Sequence, residues 1–345
     1  MSLTVLSVAY PFAPVGPDAV GGAEQVLGHL DAALVAAGHR SIVVAHAASK
    51  TCGTLIATET PAGPIAREQR HAAWAEHRAN IFRALASHPV DVVHMHGIDF
   101  HHYLPLPQPV PVLATLHLPP AWYGADAFEP RPGVHLQCVS ASQRRQCPPG
   151  AQLLPDIENG VPVRALDCRC RRRRFAITLG RICPEKNSHV ALEAGRRAGM
   201  PVLLAGHVFP YEAHERYFRE QVVPRLDRER RFIGTLPFRR KRRLLSAARC
   251  LLLPSVAPET SSLVAMEALA CGTPVVAFPS GAVPAIVQHG VTGFLVRDAA
   301  EMADAIEACG AIDPERCRAV ARERFSLERM VGKYFDAYEQ LAGRA

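Results

Sequence analysis

Short apolar runs alternate with longer segments of helical periodicity, and this alternation constrains the fold more than any other feature of the chain. Near the amino terminus, an apolar run from Leu3 to Ala9 precedes Gly21-Gly22 and a helical pattern from Ala23 to Ala37. Gly38 provides the helix stop, and the β-branched run from Ser41 to Ala45 follows. Strand, glycine-rich loop, helix and strand in this order predict the first unit of a parallel α/β sheet.

The alternation continues through the first half and restarts in the middle of the chain. In the first half we predict three more strands, at Asp91–His94, Val112–Leu116 and His135–Val139, and a helix from Arg67 to His88. In the second half we predict strands and helices in turn at Phe175–Leu179, Ser188–Ala198, Pro201–Ala205, Glu212–Val223, Arg231–Ile233, Arg239–Ala248, Cys250–Leu253, Ser262–Ala270 and Pro274–Ala277. A second strand-first series predicts two similar α/β domains, which suits a chain of 345 residues. We expect the boundary near residue 160, and the final helical pattern, Leu327 to Ala342, could dock on either domain.

Composition argues against secreted and membrane-spanning classes. The chain is 48% hydrophobic, and no cationic start precedes an apolar run, so a secretory signal is not expected. The uncharged stretch from Phe100 to Ala125 contains six prolines and is therefore not a membrane helix. Ten cysteines show no framework spacing, and the close pair Cys168 and Cys170 has no C-x-x-C partner. Reduced thiols and a cytoplasmic location are expected.

Arginine supplies most of the net charge of +7, and it is concentrated in two segments, Arg169–Arg174 and Arg239–Arg243. Such segments attract nucleic acid, anionic lipid or phosphorylated substrates, or they are solvated faces and linkers. Because they lack interleaved aromatic residues, specific nucleic-acid binding is disfavoured. Peripheral contact with the inner face of a membrane stays open.

The segment after the predicted strand Cys250–Leu253 has the features of an anion site. The strand ends at Pro254, a polar loop follows, and Ser261 or Ser262 can cap a helix that continues with Leu263 and Val264. The first amides of a helix lack intrahelical partners, and the helix dipole favours negative charge at this end. A helix start at the carboxyl end of a parallel strand is therefore a natural diphosphate site.

Two glutamates flank this helix start. Glu259 precedes it and Glu267 lies on the helix, eight residues further on, which is about 12 Å if the whole stretch is helical. Carboxylates accept paired hydrogen bonds from vicinal hydroxyls, so one could hold a hexose and the other a ribose, with a diphosphate between them. For two glutamates alone, a capping acid and a solvated helical glutamate are the simpler interpretation.

The whole segment from Pro254 to Pro274 resembles the E-x7-E signature of retaining GT-B glycosyltransferases of family 4, or group 1. This large family includes the sucrose-synthase-like and phosphatidylinositol-mannosyltransferase-like enzymes. The loop Gly180–Asn187 resembles the family's G-R-x-x-x-x-K loop, which implies that Gly180, Arg181 and Lys186 bind the donor diphosphate. Two cations at a strand end suit a departing dianion.

The resemblance extends into the first half. Gly21 and Gly22 match a glycine loop that approaches donor phosphate or acceptor, although these glycines could equally make a tight strand-to-helix turn. Thr115-Leu116-His117 resembles the family's T-x-H, which implies that His117 faces the donor sugar. Asn159-Gly160-Val161 matches the interdomain hinge, and Gly290–Val296 matches a further family segment. His94 and His96 could mimic a metal pair, but no third ligand is evident.

Two departures from the family pattern lie near the implied sugar pocket. The family commonly has glycine soon after the first glutamate, where this chain has Thr260, Ser261 and Ser262. It also commonly has a glutamate where this chain has Ala285. Both departures weaken any inference about which sugar is used, and neither affects the diphosphate loop.

The resemblance implies two facing Rossmann-like domains with parallel sheets and a carboxyl-terminal helix that crosses back. The acceptor domain is expected at residues 1–160, together with the crossing helix at 327–345, and the nucleotide-sugar domain at 161–326. It further implies retaining transfer of a hexose from a UDP- or GDP-linked donor to an unidentified sugar, lipid-linked or small-molecule acceptor. Without a D-x-D motif beside the donor loop, no metal or other cofactor is expected.

Three alternatives stay open at this point. A GT-B sugar-nucleotide epimerase or hydrolase would use the same donor loop. A basic nucleic-acid-binding α/β protein would use the arginine segments instead. A catalytically silent member of the family would act as a scaffold.

Overall fold

Two parallel six-stranded sheets organise the chain, as the twofold alternation predicts. The computed structural model describes residues 2–59, 67–107 and 110–344. The chain divides into a first unit, Met1–Asn159 with Met330–Ala345, and a second unit, Gly160–Arg329. No helix within the described ranges is long and apolar enough to cross a bilayer.

The first unit has the strand order β3-β2-β1-β4-β5-β6, and every pair is parallel. Its strands are β1 (Thr4–Val8), β2 (Arg40–His46), β3 (Thr54–Thr58), β4 (Val92–Met95), β5 (Val112–Leu116) and β6 (Val134–Cys138). Its helices in the first part of the chain are α1 (Gly22–Ala36), α2 (Arg67–Ser87) and α3 (Ala141–Arg144). The order reverses between β1 and β4, and ligands bind outside the carboxyl ends of strands at such a reversal.

Our prediction missed β3. This strand is at the edge of the sheet and is only partly buried, so it lacks the continuous apolar run that marks the central strands. By contrast, all five residues of β1 are buried, which is the pattern of a strand covered on both faces.

The second unit has the order β12-β11-β10-β7-β8-β9, again with parallel pairs. Its strands are β7 (Ala176–Leu179), β8 (Val202–Ala205), β9 (Arg230–Phe232), β10 (Cys250–Leu253), β11 (Val275–Ala277) and β12 (Gly293–Leu295). The helices are α4 (Val163–Leu166), α5 (Ser188–Arg197), α6 (Glu212–Tyr217), α7 (Phe238–Ala247), α8 (Leu263–Ala270), α9 (Val283–Ile286), α10 (Ala299–Ala308) and α11 (Pro314–Arg324). Here the order reverses between β7 and β10, so the loops after these two strands meet at one edge.

The predicted helix Glu212–Val223 is α-helical only as far as Tyr217. It continues as a π-helical turn, Phe218–Val222, and a 3₁₀ turn, Val223–Arg225. Pro224 explains the change because it has no N–H to donate to the preceding turn.

The last helix, α12 (Leu327–Leu341), starts in the second unit and belongs to the first unit from Met330 onwards. Its start is held by the Leu327 N–H, which donates to the Val161 carbonyl at 3.0 Å. Further along, Tyr334 and Tyr338 are fully buried in the first unit. The crossing helix implied by the family resemblance is therefore present.

Gly293 shows why the segment Gly290–Val296 contains a central glycine. Its φ is +156°, and a Cβ added there would lie 1.9 Å from the Val275 carbonyl oxygen. Only glycine permits β12 to pair this closely with β11.

Candidate active site

The loop after β7 carries the implied diphosphate ligands. It begins at Gly180, whose φ is +150°, and its N–H donates to the Ala205 carbonyl at 3.2 Å. A Cβ added at Gly206 would lie 1.8 Å from the Gly180 carbonyl oxygen, so the loops after β7 and β8 touch backbone to backbone. This contact fixes the start of the loop that leads to Arg181 and Lys186.

Lys186 and Glu259 form an ion pair in the second unit. Lys186 Nζ lies 2.6 Å from Glu259 Oε1, although the two residues are 73 positions apart. Glu259 is only 8% exposed, and charge-assisted hydrogen bonds of this length are among the stronger polar contacts. The structure thus joins the G-R-x-x-x-x-K loop to the first glutamate of E-x7-E.

The backbone around Glu259 is held from two sides. On one side, the Val256 N–H donates to the Glu185 carbonyl at 2.9 Å. On the other, the Ala282 N–H donates to the Glu259 carbonyl at 2.7 Å. The three loops after β7, β10 and β11 therefore meet at Glu259.

Gly281 is a site residue that our sequence analysis missed. Its φ is +58°, and an added Cβ would lie 2.2 Å from the carbonyl oxygen and 2.5 Å from the nitrogen of Glu259. Only glycine fits this left-handed, crowded position. The available signal was a Ser-Gly dipeptide after a predicted strand, which marks a turn but does not reveal what the turn contacts.

The helix α8 starts at Leu263, with Ser262 in the N-cap position. The expected side-chain cap is absent, since Ser262 makes no capping hydrogen bond. Ser261 does not replace it, because its Oγ is buried without a hydrogen-bond partner among the described residues. The Ser262 backbone dihedrals, φ −125° and ψ 89°, differ from the usual N-cap geometry. This difference explains why the Ser262 side chain does not cap the helix. The amides of Leu263 and Val264 are thus not satisfied by the Ser262 side chain.

Glu267 is buried on α8 and pairs with a lysine. It is 5% exposed, and its Oε1 lies 2.5 Å from Lys241 Nζ on α7. The simpler interpretation of a solvated helical glutamate is therefore wrong. Lys241 lies in the basic segment Arg239–Arg243, and no partner was predicted for it because nothing in its sequence neighbourhood distinguishes it from the adjacent arginines.

Arg181 is half-buried in the same loop as Lys186. Burial is the largest influence on the pKa of both Glu185 and His214, raising the first and lowering the second, and the positive charge of Arg181 lowers both. Arg181 and Lys186 thus supply positive charge along one loop.

In the first unit, Gly21 and Gly22 form the start of α1. Gly21 is the N-cap residue, and an added Cβ would lie 1.8 Å from the Glu24 Oε2, so the Glu24 carboxylate covers this glycine. The loop from Val8 to Gly22 is far longer than a tight turn, and the tight-turn interpretation is therefore wrong.

His117 follows β5 and belongs to a cluster of three histidines. Its Nε2 lies 3.0 Å from His96 Nδ1, and the rings of His94 and His96 have centroids 3.9 Å apart. Both nitrogens of His94 are engaged, at 2.7 Å from the Tyr338 hydroxyl and 2.8 Å from Thr115 Oγ1. His94 therefore has no nitrogen left for a metal, which argues against the metal pair.

Burial keeps this histidine cluster neutral. It lowers the pKa of His117 to about 4, and it lowers the pKa of His94 and His96 well below the usual range, with further lowering by neighbouring histidines. The Nε2 of His96 is buried and has no hydrogen-bond partner within the described chain. At neutral pH, His117 is thus an uncharged hydrogen-bonding group.

The two arginine segments lie side by side in the second unit. The Cys170 N–H donates to Ser246 Oγ at 3.0 Å, and the Arg173 N–H donates to the Ala247 carbonyl at 2.8 Å, so the first segment runs along the end of α7. We call the exposed arginines of both segments the basic surface: Arg169, Arg171, Arg173, Arg174, Arg239, Arg240 and Arg243. Arg172 and Arg242 are excluded because they are only partly exposed and donate to atoms of the protein, and one of the seven, Arg169, also pairs with Glu315 at 3.1 Å.

Comparison with solved structures defines the class of fold. The sucrose-phosphate synthase of Thermosynechococcus elongatus is similar with a TM-score of 0.83 and 20% identity, over 99% of this chain and 100% of that one. Anabaena HepE in complex with UDP-glucose is similar with a TM-score of 0.76 and 18% identity, over 98% and 100%. The predicted fold class is confirmed: this is a GT-B protein with two Rossmann-like units.

Two family models match the chain. Residues 173–310 match the model described as Glycosyl transferases group 1, and residues 20–143 match Glycosyltransferase Family 4. The chain belongs to this family of group 1 glycosyltransferases. The α-maltose-1-phosphate synthase of Mycolicibacterium smegmatis is 36% identical over 122 residues, which are 31% of this chain and 31% of that protein. The match thus spans about a third of that relative's length.

Proposed function

We propose that this protein is a retaining, metal-independent hexosyltransferase that uses a nucleoside-diphosphate sugar. The observation that carries the proposal is the Lys186–Glu259 pair, held at 2.6 Å beside the start of α8. Family membership supports glycosyl transfer, and HepE, a protein of the same fold, binds UDP-glucose. By analogy, we propose a UDP- or GDP-linked donor.

The donor diphosphate is proposed to bind between the Lys186 loop and the start of α8. Lys186 and Arg181 supply positive charge, and the first amides of α8 supply hydrogen-bond donors. These groups stabilise the negative charge that develops on the leaving diphosphate. Loss of one such donor typically lowers kcat by about 10² to 10³.

The two glutamates are proposed to orient the donor. Glu259 accepts hydrogen bonds from hexose hydroxyls, and its pairing with Lys186 holds the carboxylate in place before the sugar arrives. Glu267 accepts hydrogen bonds from the ribose hydroxyls, while Lys241 holds its other side. Both carboxylates are almost fully buried, so their lysine partners offset the cost of removing them from water.

The acceptor is proposed to bind the first unit, where His117 positions the reacting sugar. Since its pKa is lowered to about 4, His117 donates or accepts a hydrogen bond without adding charge at neutral pH. The acceptor hydroxyl forms a bond to the anomeric carbon on the face from which the diphosphate departs. Its proton passes to the departing phosphate oxygen, so no side chain acts as a nucleophile and the anomeric configuration is retained.

A thermal-shift panel tests the donor site. UDP, GDP, ADP and their hexose conjugates are each added to the wild type and to the Glu259→Gln and Glu267→Gln variants. We expect one nucleotide sugar to raise the melting temperature of the wild type, with a smaller rise in both variants. Glu301→Gln is the matched control, because Glu301 pairs with Arg297 on the surface of the same unit. An unchanged shift in both test variants contradicts the assigned glutamates.

Product analysis tests the reaction itself. With the donor identified, the anomeric configuration of the product is read by NMR, and activity is compared with and without excess chelator. Retention and full activity in chelator support the proposal, whereas inversion or strict dependence on Mg²⁺ or Mn²⁺ overturns it. Conversion of the donor without any acceptor indicates the epimerase or hydrolase alternative.

The basic surface is proposed to contact an anionic membrane face. Seven exposed arginines on two adjoining segments create a local positive field that attracts anionic lipid at moderate ionic strength. Reversal of Arg239, Arg240 and Arg243 to glutamate is expected to abolish binding to vesicles that contain phosphatidylglycerol. Unchanged binding of this variant, or equal binding to neutral vesicles, contradicts the proposal.

A further inference from the structure

Three side chains with metal-ligating atoms meet in the second unit, beside the Lys186 loop. Cys183 and Glu185 lie in this loop, and His214 lies on α6. One ligand atom from each, a thiol sulfur, a carboxylate oxygen and a ring nitrogen, lie within 4.8 Å of one another. None of the three has a role in the transfer reaction proposed above.

Two of these ligand groups have buried atoms without partners. Glu185 Oε2 and His214 Nδ1 are both buried and have no hydrogen-bond partner within the described part of the chain. His214 is only 9% exposed, so water does not freely satisfy its ring. Buried polar atoms are nearly always paired in native proteins, so two unpaired atoms on residues whose ligand groups converge indicate a missing partner.

The protonation states fit a cation as that partner. Burial, followed by the charge of Arg181, lowers the pKa of His214, so its ring is neutral at pH 7. Burial opposes ionisation of Glu185, but its own backbone N–H, the Cys183 thiol and Arg181 together lower the pKa of its carboxyl group. Burial raises the pKa of the Cys183 thiol to about 11, so this ligand loses its proton only when an ion binds.

We propose that Cys183, Glu185 and His214 form a Zn²⁺ site. Sulfur, nitrogen and oxygen together are typical of zinc, whereas Mg²⁺ and Mn²⁺ prefer oxygen ligands. In a tetrahedral zinc site the ligand atoms are about 3.5 Å apart, as the usual metal–ligand distances dictate, so the three side chains need to approach one another by at most roughly 1 Å. Three protein ligands leave a fourth position for water.

The binding step balances in charge and protons. Zn²⁺ exchanges water ligands for the three side chains, and the Cys183 thiol releases one proton to solvent as the sulfur–zinc bond forms. The thiolate and the carboxylate then carry two negative charges against the two positive charges of the ion. Affinity is therefore expected to rise with pH. The nearby positive charge of Arg181 repels the free Zn²⁺ ion and weakens binding. This repulsion is small once the ion is bound, because the complex with the thiolate and the carboxylate carries no net charge.

The proposed ion would stabilise the donor loop without taking part in transfer. Glu185 precedes Lys186, and its carbonyl accepts the Val256 N–H of the Glu259 loop. An ion bound to Glu185 and His214 would tie this loop to α6. The inference does not depend on the proposed function, because its test measures metal binding directly.

Cobalt substitution tests the site on the full chain. The reduced protein is freed of metal with chelator and titrated with Co²⁺, which reports thiolate coordination through a charge-transfer absorption in the near ultraviolet. Competition with a chromophoric chelator then measures the affinity for Zn²⁺. We expect one equivalent, a charge-transfer band, and a rise in melting temperature with Zn²⁺ but not with Mg²⁺.

Variants locate the bound ion. Cys183→Ser is expected to abolish the band, and His214→Gln is expected to weaken Zn²⁺ binding at least tenfold. The controls are Cys168→Ser, since Cys168 Sγ lies 3.5 Å from Cys170 Sγ, and His101→Ala, since His101 lies in a second cluster with His102 and Asp126 in the first unit. Melting temperatures without metal confirm that each variant is folded.

The proposal is overturned by either of two results. One is the absence of a Co²⁺ band in the folded wild type. The other is a band or Zn²⁺ affinity that survives in Cys183→Ser and His214→Gln, whatever the two controls do.

Discussion

Replacement of Lys241 by methionine tests how much the buried ion pair between Lys241 on α7 and Glu267 on α8 contributes to the stability of the second unit. Lys241 Nζ lies 2.5 Å from Glu267 Oε1, and their side chains are 17% and 6% exposed. Methionine keeps the length and apolar stem of lysine but removes the charge. The Glu267 carboxylate is then left buried without its partner.

The expected magnitude follows from the burial of the pair. Removal of one partner from a fully buried ion pair costs about 3–5 kcal/mol of unfolding free energy. Because Lys241 is partly exposed, water compensates Glu267 in part, and we expect about 2–4 kcal/mol. The double variant Lys241→Met/Glu267→Met removes both charges and is expected to be close to the wild type, within about 1 kcal/mol.

The assay must report on the second unit. Both tryptophans, Trp74 and Trp122, belong to the first unit, so tryptophan fluorescence does not serve here. Hydrogen exchange of α8 peptides at increasing urea concentration measures the free energy of opening directly. Arg240→Met is the matched control, since Arg240 is exposed on the same helix and is expected to change stability by less than about 0.5 kcal/mol. A Lys241→Met variant as stable as this control refutes the reasoning.

Three further predictions test other parts of the site. Lys186→Met is expected to lower kcat by about 10² to 10³ in steady-state assays, because a charged group at the leaving diphosphate is lost; a change below threefold contradicts the role. Gly281→Ala is expected to destabilise the second unit more than Gly290→Ala by hydrogen exchange. Both glycines have a positive φ, which costs an alanine about 1–2 kcal/mol at either position. Only at position 281 would the added methyl group also crowd the Glu259 backbone, so equal destabilisation by the two substitutions contradicts the prediction. Since the folded pKa of His117 is about 4, below the unfolded value of 6.5, the unfolded state binds the proton first as pH falls. Stability of the first unit, followed by tryptophan fluorescence, is therefore expected to fall between pH 6.5 and 4, and less steeply in His117→Gln.

Much of the candidate site could be predicted from the sequence because its motifs are local. The G-R-x-x-x-x-K loop and E-x7-E segment each occupy a few consecutive residues, and each follows a predicted strand whose apolar run is easily recognised. Strand alternation also predicts that both loops emerge at one edge of a parallel sheet. The prediction that Ser262 caps the helix was wrong. Capping depends on the local backbone dihedrals, and the residue type favours certain dihedrals without fixing them.

The repeated alternation of strands and helices, together with its motifs, was enough to determine two Rossmann-like units and the GT-B class, because periodicity expresses which face of each element is buried. Only the tertiary structure decided which groups meet. Lys186 reaches Glu259 over 73 positions and Lys241 reaches Glu267 over 26, because strand order and helix packing bring those elements together. For the same reason the structure alone revealed the joined basic surface and the convergence of Cys183 with His214. Burial and charge pairing depend on which residues pack against each other in the folded protein, and the sequence pattern does not specify those contacts.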